Sequence, residues 1–438
     1  MVNHNSQNQA NANNTKFNSL YAVINNCSTA LGRRLLRDKL LNPIIDPIKL
    51  NKQYANIDIL MLRNEAGKPF YTNIETSLSK IMDIERLFRK MGLGLLQPSD
   101  FVGLDFSCDY ILELYNYVIN NEIISKTLAS ILPSTSFIEK FKEFIKHYSN
   151  IFNLDEMSKY HLDKITNSFF KPNNYESIDS LQNLINKNMD ILESIARKLS
   201  SYIDDTKGSS SNMVKVEHNE RDGYYLTLTT KRSQLLKQRF SNMNYKPINV
   251  KLCYHDETIE YNIKDLVFKA NSKTSMKISC DYLKKISNEL GFAKFKIGGL
   301  CKKIFLEIIE EFYNTYGTCF KQLCKFISSI DIVKSGAKTA CLYGYSRPII
   351  EVNNTNNSSN SYLNIKDIRH PIIERIQTNI EYITNDILIN QDHTGILLYG
   401  TNAAGKSSLM KAIGLNVIMA QAGFFVAARE FKYYPYKY

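Results

Sequence analysis

Gly400-Thr-Asn-Ala-Ala-Gly-Lys-Ser-Ser408, GTNAAGKSS, decides how the last part of this chain is read. It matches G-x-x-x-x-G-K-[ST] without a mismatch, a loop whose amides cradle phosphates at a helix N-terminus. Upstream, Gly395-Ile-Leu-Leu-Tyr399 is a short apolar run that predicts a strand; downstream, Ser408 to Ala420 predicts a helix. In such a loop Lys406 reaches the β- and γ-phosphates of ATP, and the Ser407 hydroxyl ligates Mg²⁺. Only 30 residues follow Ser408, whereas a nucleotide-binding domain needs about 100 or more. The expectation is a chain that stops inside that domain.

Working outward, the 438 residues predict two to four domains and ample length for a core. The net charge of +12 is unevenly spread. Between Lys231 and Lys303 sixteen Lys/Arg stand against six Asp/Glu, a local excess of ten positive charges. Such a field is the electrostatic footprint of a polyanion binder. Eight cysteines form no C-x-x-C pair and have no nearby histidine at ligand spacing, which predicts scattered thiols without a disulfide framework or zinc site. The longest apolar stretch, Ile413 to Ala428, is interrupted by Asn416 and Gln421 and is too short to span a bilayer. It is read as a buried helix and a following strand. With no signal peptide visible, the expectation is a soluble intracellular protein, not secreted and with no membrane partner.

Residues 1–16 are Asn/Gln-rich and low in complexity, a segment expected to be disordered. From Phe17 to about Ile203 the periodicity is helical: Leu31, Leu35, Leu36 and Leu40 share one face, as do Leu181, Leu184, Ile185, Leu192, Ile195 and Leu199. Pro43 and Pro47 predict a helix end after Asn42. Lys207 to Asn212 reads as a loop. Alternation over Gly223 to Thr230 then predicts a strand, and Val250 to Tyr254 with Ile259 to Ile263, joined at His255-Asp256, predicts a hairpin. Helical periodicity returns from Cys280 to Ala340, with an interruption expected at Gly298-Gly299, and Asn353 to Ser361 reads as a second loop. The predicted fold is multidomain and mainly α, with a small β-rich basic insert and an incomplete α/β P-loop ATPase domain. The expected division is 1–16 tail, 17–213 helical core, 214–279 insert, 280–349 returning helices and 350–438 nucleotide-binding segment.

Six stretches in this order resemble the MutS family of DNA mismatch repair ATPases. Ser19 to Asp46 and Asp83 to Asp100 resemble that family's helical core. Arg221 to Thr230 is similar to the strand that enters its DNA clamp. Leu342 to Ile350 and Asp367 to Ile376 resemble the lead-in to its ATPase domain, and Ile396 to Ala428 its P-loop, helix and next strand. The P-loop region is similar to the branch found in large DNA viruses and coral mitochondria. Between about 105 and 210 the pattern is only generically helical.

The resemblance implies that Gly400, Asn402, Ala404, Gly405, Lys406, Ser407 and Ser408 contact nucleotide, with Ser407 on Mg²⁺. Two departures stand in this loop: Thr401 where proline is common, and Ala404 where glycine is common. Tyr382, eighteen residues before Gly400, matches the aromatic that stacks on adenine in the family. His370, in Arg369-His370-Pro371, is expected to position a domain junction, since no partner acid or nucleophile can be assigned to it. Duplex DNA is expected at Lys231, Arg232, Lys237, Arg239, Lys246, Lys251, Lys269, Lys273 and Lys277, as point charges on the phosphate backbone.

The family reads mismatches with a Phe-x-Glu wedge in an N-terminal domain. With the core signature beginning by Ser19, that domain is expected to be missing. The triplets at 137–139, 141–143 and 305–307 fall in helix-periodic stretches and are read as packing plus a solvated glutamate. The catalytic carboxylates of Walker B are expected beyond Tyr438, so no catalytic residue is assigned. The chain is expected to bind ATP without hydrolysing it, while its parent is a DNA-dependent ATPase that works as a homodimer or heterodimer with a MutS-type subunit. A nucleus, viral factory, nucleoid or organelle is the expected compartment. Two other classes stay open on the residues alone: a P-loop NTPase of chromosome-structural or transporter-like type, and a truncated interaction module.

Overall fold

The structure is a computed structural model that describes residues 16–203, 213–254, 257–351, 362–377 and 379–437. The tail at 1–15, the loop at 207–212, the His255-Asp256 turn and the 353–361 loop lie outside the described residues. The fold is mainly helical with small sheets. Two compact units divide it: Met1–Leu95, Gly103–Ile145 and Phe312–Tyr438 form the first, Leu96–Val102 and Lys146–Glu311 the second.

The first unit opens with α1 (Leu20–Ile24), α2 (Ala30–Leu41) and α3 (Pro47–Met61). Each start is set by a side-chain cap: Ser19, Thr29 and Asp46 accept from the first-turn amides, and Pro47 takes the first helical position, where its missing N–H costs nothing. As expected, α2 stops at Leu41 with Asn42 as its cap. After α4 (Tyr71–Leu78) and α5 (Ile84–Gly92), α6 (Pro98–Asn120) runs on to α7 (Glu122–Thr127) and α8 (Thr135–Ile151). Of the anticipated face on α2, Leu31 and Leu36 are fully buried.

Among the described residues three helices supply residues to both units: α6 up to Val102 and α8 from Lys146 lie in the second, and the third is the longest in the fold. The second unit holds α9 (Leu154–Met157), α10 (Glu176–Ser201), α11 (Thr230–Asn242) and the first half of α12 (Asp281–Tyr343), a single helix of 63 residues. No break occurs at Gly298-Gly299, against the sequence expectation. A Cβ on Gly298 would stand 2.5 Å from the Ile165 carbonyl oxygen, whereas one on Gly299 would meet nothing within 4 Å. The glycine at 298 is therefore a point of close backbone approach inside a continuous helix. On α10 the expected apolar face is buried at Ile185, Leu192, Ile195 and Leu199, while Leu184 turns to solvent.

The last half of α12 belongs to the first unit, and it presents one buried polar face. The carboxylate of Asp331, fully buried, accepts from the Ser28 amide (3.0 Å), the Thr29 amide (2.8 Å) and the Thr29 hydroxyl (2.7 Å). Lys334, also fully buried, lies 3.1 Å from Asp331 and donates to the Ser28 hydroxyl at 2.8 Å. One turn on, the Ser335 hydroxyl donates to the Ile24 carbonyl and accepts from the Asn26 amide. Spacing of three and four residues places these groups on one helical face. Gly32 makes room for Asp331, whose carboxylate a Cβ there would strike. Nearby, Phe88 stacks on Tyr313 at 4.6 Å and on Phe320 at 4.7 Å between ring centroids.

Four strands build the sheet β1 (Lys215–Asn219), β2 (Gly223–Thr229), β6 (Ser275–Ser279) and β5 (Val267–Ala270), in that order, all neighbours antiparallel. The anticipated hairpin is β3 (Ile248–Lys251) with β4 (Thr258–Tyr261). Asp190 of α10, 2 % exposed, holds its tip by accepting from the Cys253 and Tyr254 amides at 3.0 and 2.9 Å. In the first unit, β7 (Ile349–Ile350), β10 (Glu430–Tyr433), β8 (Leu363–Ile368) and β9 (Asn385–Ile389) form a mixed sheet. The short α13 (Ile373–Ile376) precedes β9, and α14 (Lys406–Gln421) follows it.

The strand expected at Gly395–Tyr399 is not formed. That run pairs with no strand among the described residues and lies exposed, Leu397 to 90 % and Tyr399 to 87 %. An apolar strand of this kind needs neighbours on both edges and cover on both faces, and the four-stranded sheet does not reach it. The segment 424–428 is buried as expected, but pairing begins only at Glu430 apart from the Ser346–Val426 bridge.

Two measurements check these readings. Gly299→Ala is expected to stabilise the chain by up to about 1 kcal/mol through helix propensity, and Gly298→Ala to destabilise it by about 1–3 kcal/mol through the forced clash; denaturant unfolding of both variants decides whether the helix is continuous here. Asp331→Ala strands Lys334 in a dry interior and is expected to cost about 3–5 kcal/mol in the same assay.

Candidate functional site

The loop 400–405 owes its shape to its backbone. Gly405 (φ 89°) and Ala403 (φ 64°) take left-handed conformations, and Gly405 is also the residue before the first turn of α14. Glycine adopts this region freely, whereas the alanine there is strained. The Lys406 ammonium folds back over the loop and donates to the Gly400 and Thr401 carbonyls, both at 2.6 Å. Behind it, α14 is fixed from inside: the Asn416 amide group donates to the Ala412 and Arg369 carbonyls, and its oxygen accepts from the Ala427 amide at 2.7 Å.

A cavity of about 520 Å³ opens against this loop. Ala404, Gly405, Lys406 and Ser408 line one side; Tyr382, Ile383, Gln377 and Glu374 line the other. Chain folding therefore brings Tyr382 to the same hollow as the lysine. Gly400, Asn402 and Ser407 lie on the loop and first turn, exposed to solvent, but do not line the hollow. Glu374, with 9 % exposure, accepts from the Tyr345 hydroxyl at 2.8 Å and pairs with Arg369 at 3.2 Å. Burial pushes its carboxyl up, and Arg369, the Tyr345 hydroxyl and Arg375 oppose the shift. Sequence reading missed Glu374, although its position four residues after His370 on a short apolar helix was visible.

His370 is 5 % exposed, and its Nδ1 accepts from the Ile372 and Ile373 amides at 3.2 Å each, which starts α13. Its structural place agrees with a positioning role. Burial, and the charge of Lys411, hold this imidazole below its ordinary value.

The basic field resolves into separate places. The N-terminus of α11 meets the β5–β6 turn through the Thr230 amide and the Thr274 carbonyl at 3.0 Å, which sets Lys231 and Arg232 beside Lys273. Strand register then aligns Lys215, Thr227, Lys277 and Lys269 in one row across all four strands, about 14 Å long at the usual strand spacing. Lys215 and Lys269 are exposed. Lys277 is engaged below them, 3.1 Å from the Asp222 carboxylate and 4.1 Å from the Tyr225 ring centroid. The opposite face, Leu226, Leu228 and Ile278, is buried, and α11 packs on it with Leu236 and Phe240.

Lys231, Arg232, Lys237 and Arg239 sit on a helix beside the strands of the expected insert. Thr229 caps that helix, and Ser233, Leu236 and Phe240 form its buried stripe; the cap and stripe were readable signals. Lys237 lies 4.9 Å from the Phe268 ring. Lys246 and Lys251 belong elsewhere, by the two-stranded hairpin. Lys215 was missed because the strand that carries it is polar and lacks clear alternation.

The triplets 137–139, 141–143 and 305–307 place Phe137, Phe141 and Phe305 in the core and Glu139, Glu143 and Glu307 in solvent. None of the eight cysteines is in a disulfide. Among the described residues no group of three His, Cys, Asp or Glu could hold a metal ion, and no helix is long and apolar enough to cross a membrane.

Since the folded His370 releases its proton more readily than the unfolded chain does, its contribution to stability is present above an imidazole's ordinary value of about 6.5 and fades as pH falls. Unfolding measured between about pH 7 and 5 is expected to show this loss. His370→Asn, which keeps an acceptor for the helix start, is expected to flatten that part of the profile.

A family model for MutS domain III matches residues 3–337. A mutS-homologue DNA mismatch repair protein of Acanthamoeba polyphaga mimivirus is 32 % identical over 97 % of this chain and 40 % of its own length. The mitochondrial mutS homologue of the coral Sarcophyton glaucum is 28 % identical, over 97 % of this chain and 39 % of its own. The DNA mismatch repair protein MutS of Alkaliphilus metalliredigens is 25 % identical, over 95 % and 41 %. The chain spans about two fifths of the length of these curated relatives. With well over half of its residues matched by that domain, this chain belongs to the MutS family.

Proposed function

We propose that this chain is the DNA-gripping and nucleotide-holding part of a longer mismatch repair protein. One observation carries the reading of the grip: the lysine row Lys215, Lys277 and Lys269, with Lys231, Arg232 and Lys273 at the end of the same sheet. Exposed ammonium groups at Lys215 and Lys269, on the two edge strands, suit the phosphate backbone of duplex DNA, while Thr227 and Lys277 between them are buried or engaged. Lys277, already paired, contributes by holding the turn at Asp222 and steadying the row. Lys237, Arg239, Lys246 and Lys251 add to the surrounding field rather than to the row.

The hollow beside the loop 400–408 is the proposed nucleotide site. Its residues fit ATP: a half-buried Tyr382 ring on one wall suits adenine, and the N-terminus of α14 with Lys406 on the other suits phosphates. Lys406 would exchange the Gly400 and Thr401 carbonyls for phosphate oxygens. Gly400, Asn402, Ala404, Gly405 and Ser408 would shape the loop around them, and Ser407 would give one oxygen to Mg²⁺, which keeps most of its other positions for water and phosphate. When bound, ATP supplies the phosphate charge that this end of the helix attracts. Residues that activate water for hydrolysis are not assigned here, and a dimer with a MutS-type subunit belongs to the same reading. The division into helical core (17–213), clamp (214–279), returning helices (280–349) and nucleotide segment (350–438) is proposed with it.

Two experiments test the reading. Duplex binding by the full chain is expected to weaken steeply from about 50 to 200 mM salt, and each of Lys215→Gln, Lys269→Gln and Lys273→Gln to reduce the salt slope by about one. Binding that ignores salt, or slopes that the three variants leave unchanged, contradicts the sheet as the DNA face. For nucleotide, Lys406→Ala and Tyr382→Ala are each expected to weaken a fluorescent ATP analogue by about tenfold or more, an effect of at least 1.4 kcal/mol, while Tyr382→Phe retains binding. Equal affinity in all four proteins removes the assignment.

A further inference from the structure

Away from both proposed sites, one face of α12 carries an open groove. Phe292 is 61 % exposed and Phe295 82 %, three residues apart on the same side of the helix. Exposed large rings side by side are unusual on a soluble surface and mark interaction sites. Next to Phe295, a hollow of about 590 Å³ runs between α12 and the segment around Leu162 and Ile165. Its walls are apolar at Leu162, Ile165, Phe295 and Leu300, and Gly299 keeps the floor low. The Gly298 contact with the Ile165 carbonyl draws the two walls together.

Charge completes the description. From Leu290 to Leu306 the helix has four lysines and no acidic residue. Lys294 is used internally, donating to the Tyr224 hydroxyl at 2.6 Å. Lys296, Lys302 and Lys303 rim the hollow, against one lining carboxylate from Asp163 and a Glu307 carboxylate 4.0 Å from Lys303. Lys296 also caps the Phe292 ring at 4.4 Å.

An apolar trough with a cationic rim matches an amphipathic helix that carries acidic residues along its polar edge. Duplex DNA fits poorly, because its backbone would leave two aromatic rings and three aliphatic side chains in water. Single-stranded nucleic acid would stack on the rings but find no partner in the aliphatic wall. We propose that this groove docks an acidic amphipathic segment of a protein partner, with Phe295 as the anchor and Lys296, Lys302 and Lys303 as its charge readers.

The test uses the full chain and three labelled probes: an amphipathic Leu/Glu helical peptide, a Leu/Lys peptide of the same pattern, and oligothymidylate. Anisotropy is expected to show binding of the Leu/Glu peptide, weakened about tenfold by Phe295→Ser and by the pair Lys302→Glu and Lys303→Glu. Phe295 and both lysines are exposed, so circular dichroism and unfolding should remain those of the parent. The proposal is overturned if the Leu/Glu peptide does not bind, or if its affinity ignores both variants. It is equally overturned if oligothymidylate binding, or self-association in sedimentation, is what depends on Phe295.

Discussion

A carboxylate and an ammonium sealed from water, Asp331 and Lys334, govern the first unit. Burying two charges costs several kcal/mol each, and attraction offsets this only where every remaining lone pair and proton is also matched. Here they are: Asp331 takes three hydrogen bonds from Ser28 and Thr29, and Lys334 gives one to the Ser28 hydroxyl. Lys334 also donates to the Asn26 carbonyl. These contacts join residues about three hundred positions apart, so the opening segment of the chain is pinned to the last half of α12. A pair of this sort accepts one arrangement and penalises near misses. The geometry explains why the caps of α1 and α2, and glycine at 32, occur beside it.

The same helix serves different ends along its length because its faces differ. At 331–339 the inward face is polar and satisfied; at 290–309 it is apolar, with Leu290, Ile297, Cys301, Phe305 and Ile309 fully buried. Its outward face at 291–303 bears rings and lysines instead of the usual mixture of signs. A single element of 63 residues thus supplies a lock in one unit, and in the other a wall beside the β1–β2–β6–β5 sheet and an open trough.

Much of this was legible in the sequence, for physical reasons. Amphipathic periodicity fixed the helices, and Pro43 and Pro47 marked the end of α2. Alternation from Gly223 announced β2, and the family resemblance singled out Tyr382, which lines the hollow beside the loop. Other parts were not legible. Gly298 looked like a break because a sequence does not show which backbone lies across from a glycine. The lysine row requires strand register, which pairs Lys215 with Thr227 and, through it, places it in line with Lys277 sixty-two residues away. Gly395–Tyr399 has the composition of a buried strand, yet a strand exists only where neighbours pair with it. The helix carrying Lys231 to Arg239 was not legible because charge masked the stripe Ser233, Leu236 and Phe240.

In the proposed function one chain holds DNA on the sheet face and nucleotide at the loop of α14. Hydrogen exchange of the full chain, followed by mass spectrometry with duplex DNA and with ATP, tests it most directly. DNA is expected to slow exchange in 215–232 and 267–279, and ATP in 400–409 and 380–385. Protection by DNA confined to other segments, or no ATP-dependent change around the loop, would contradict it.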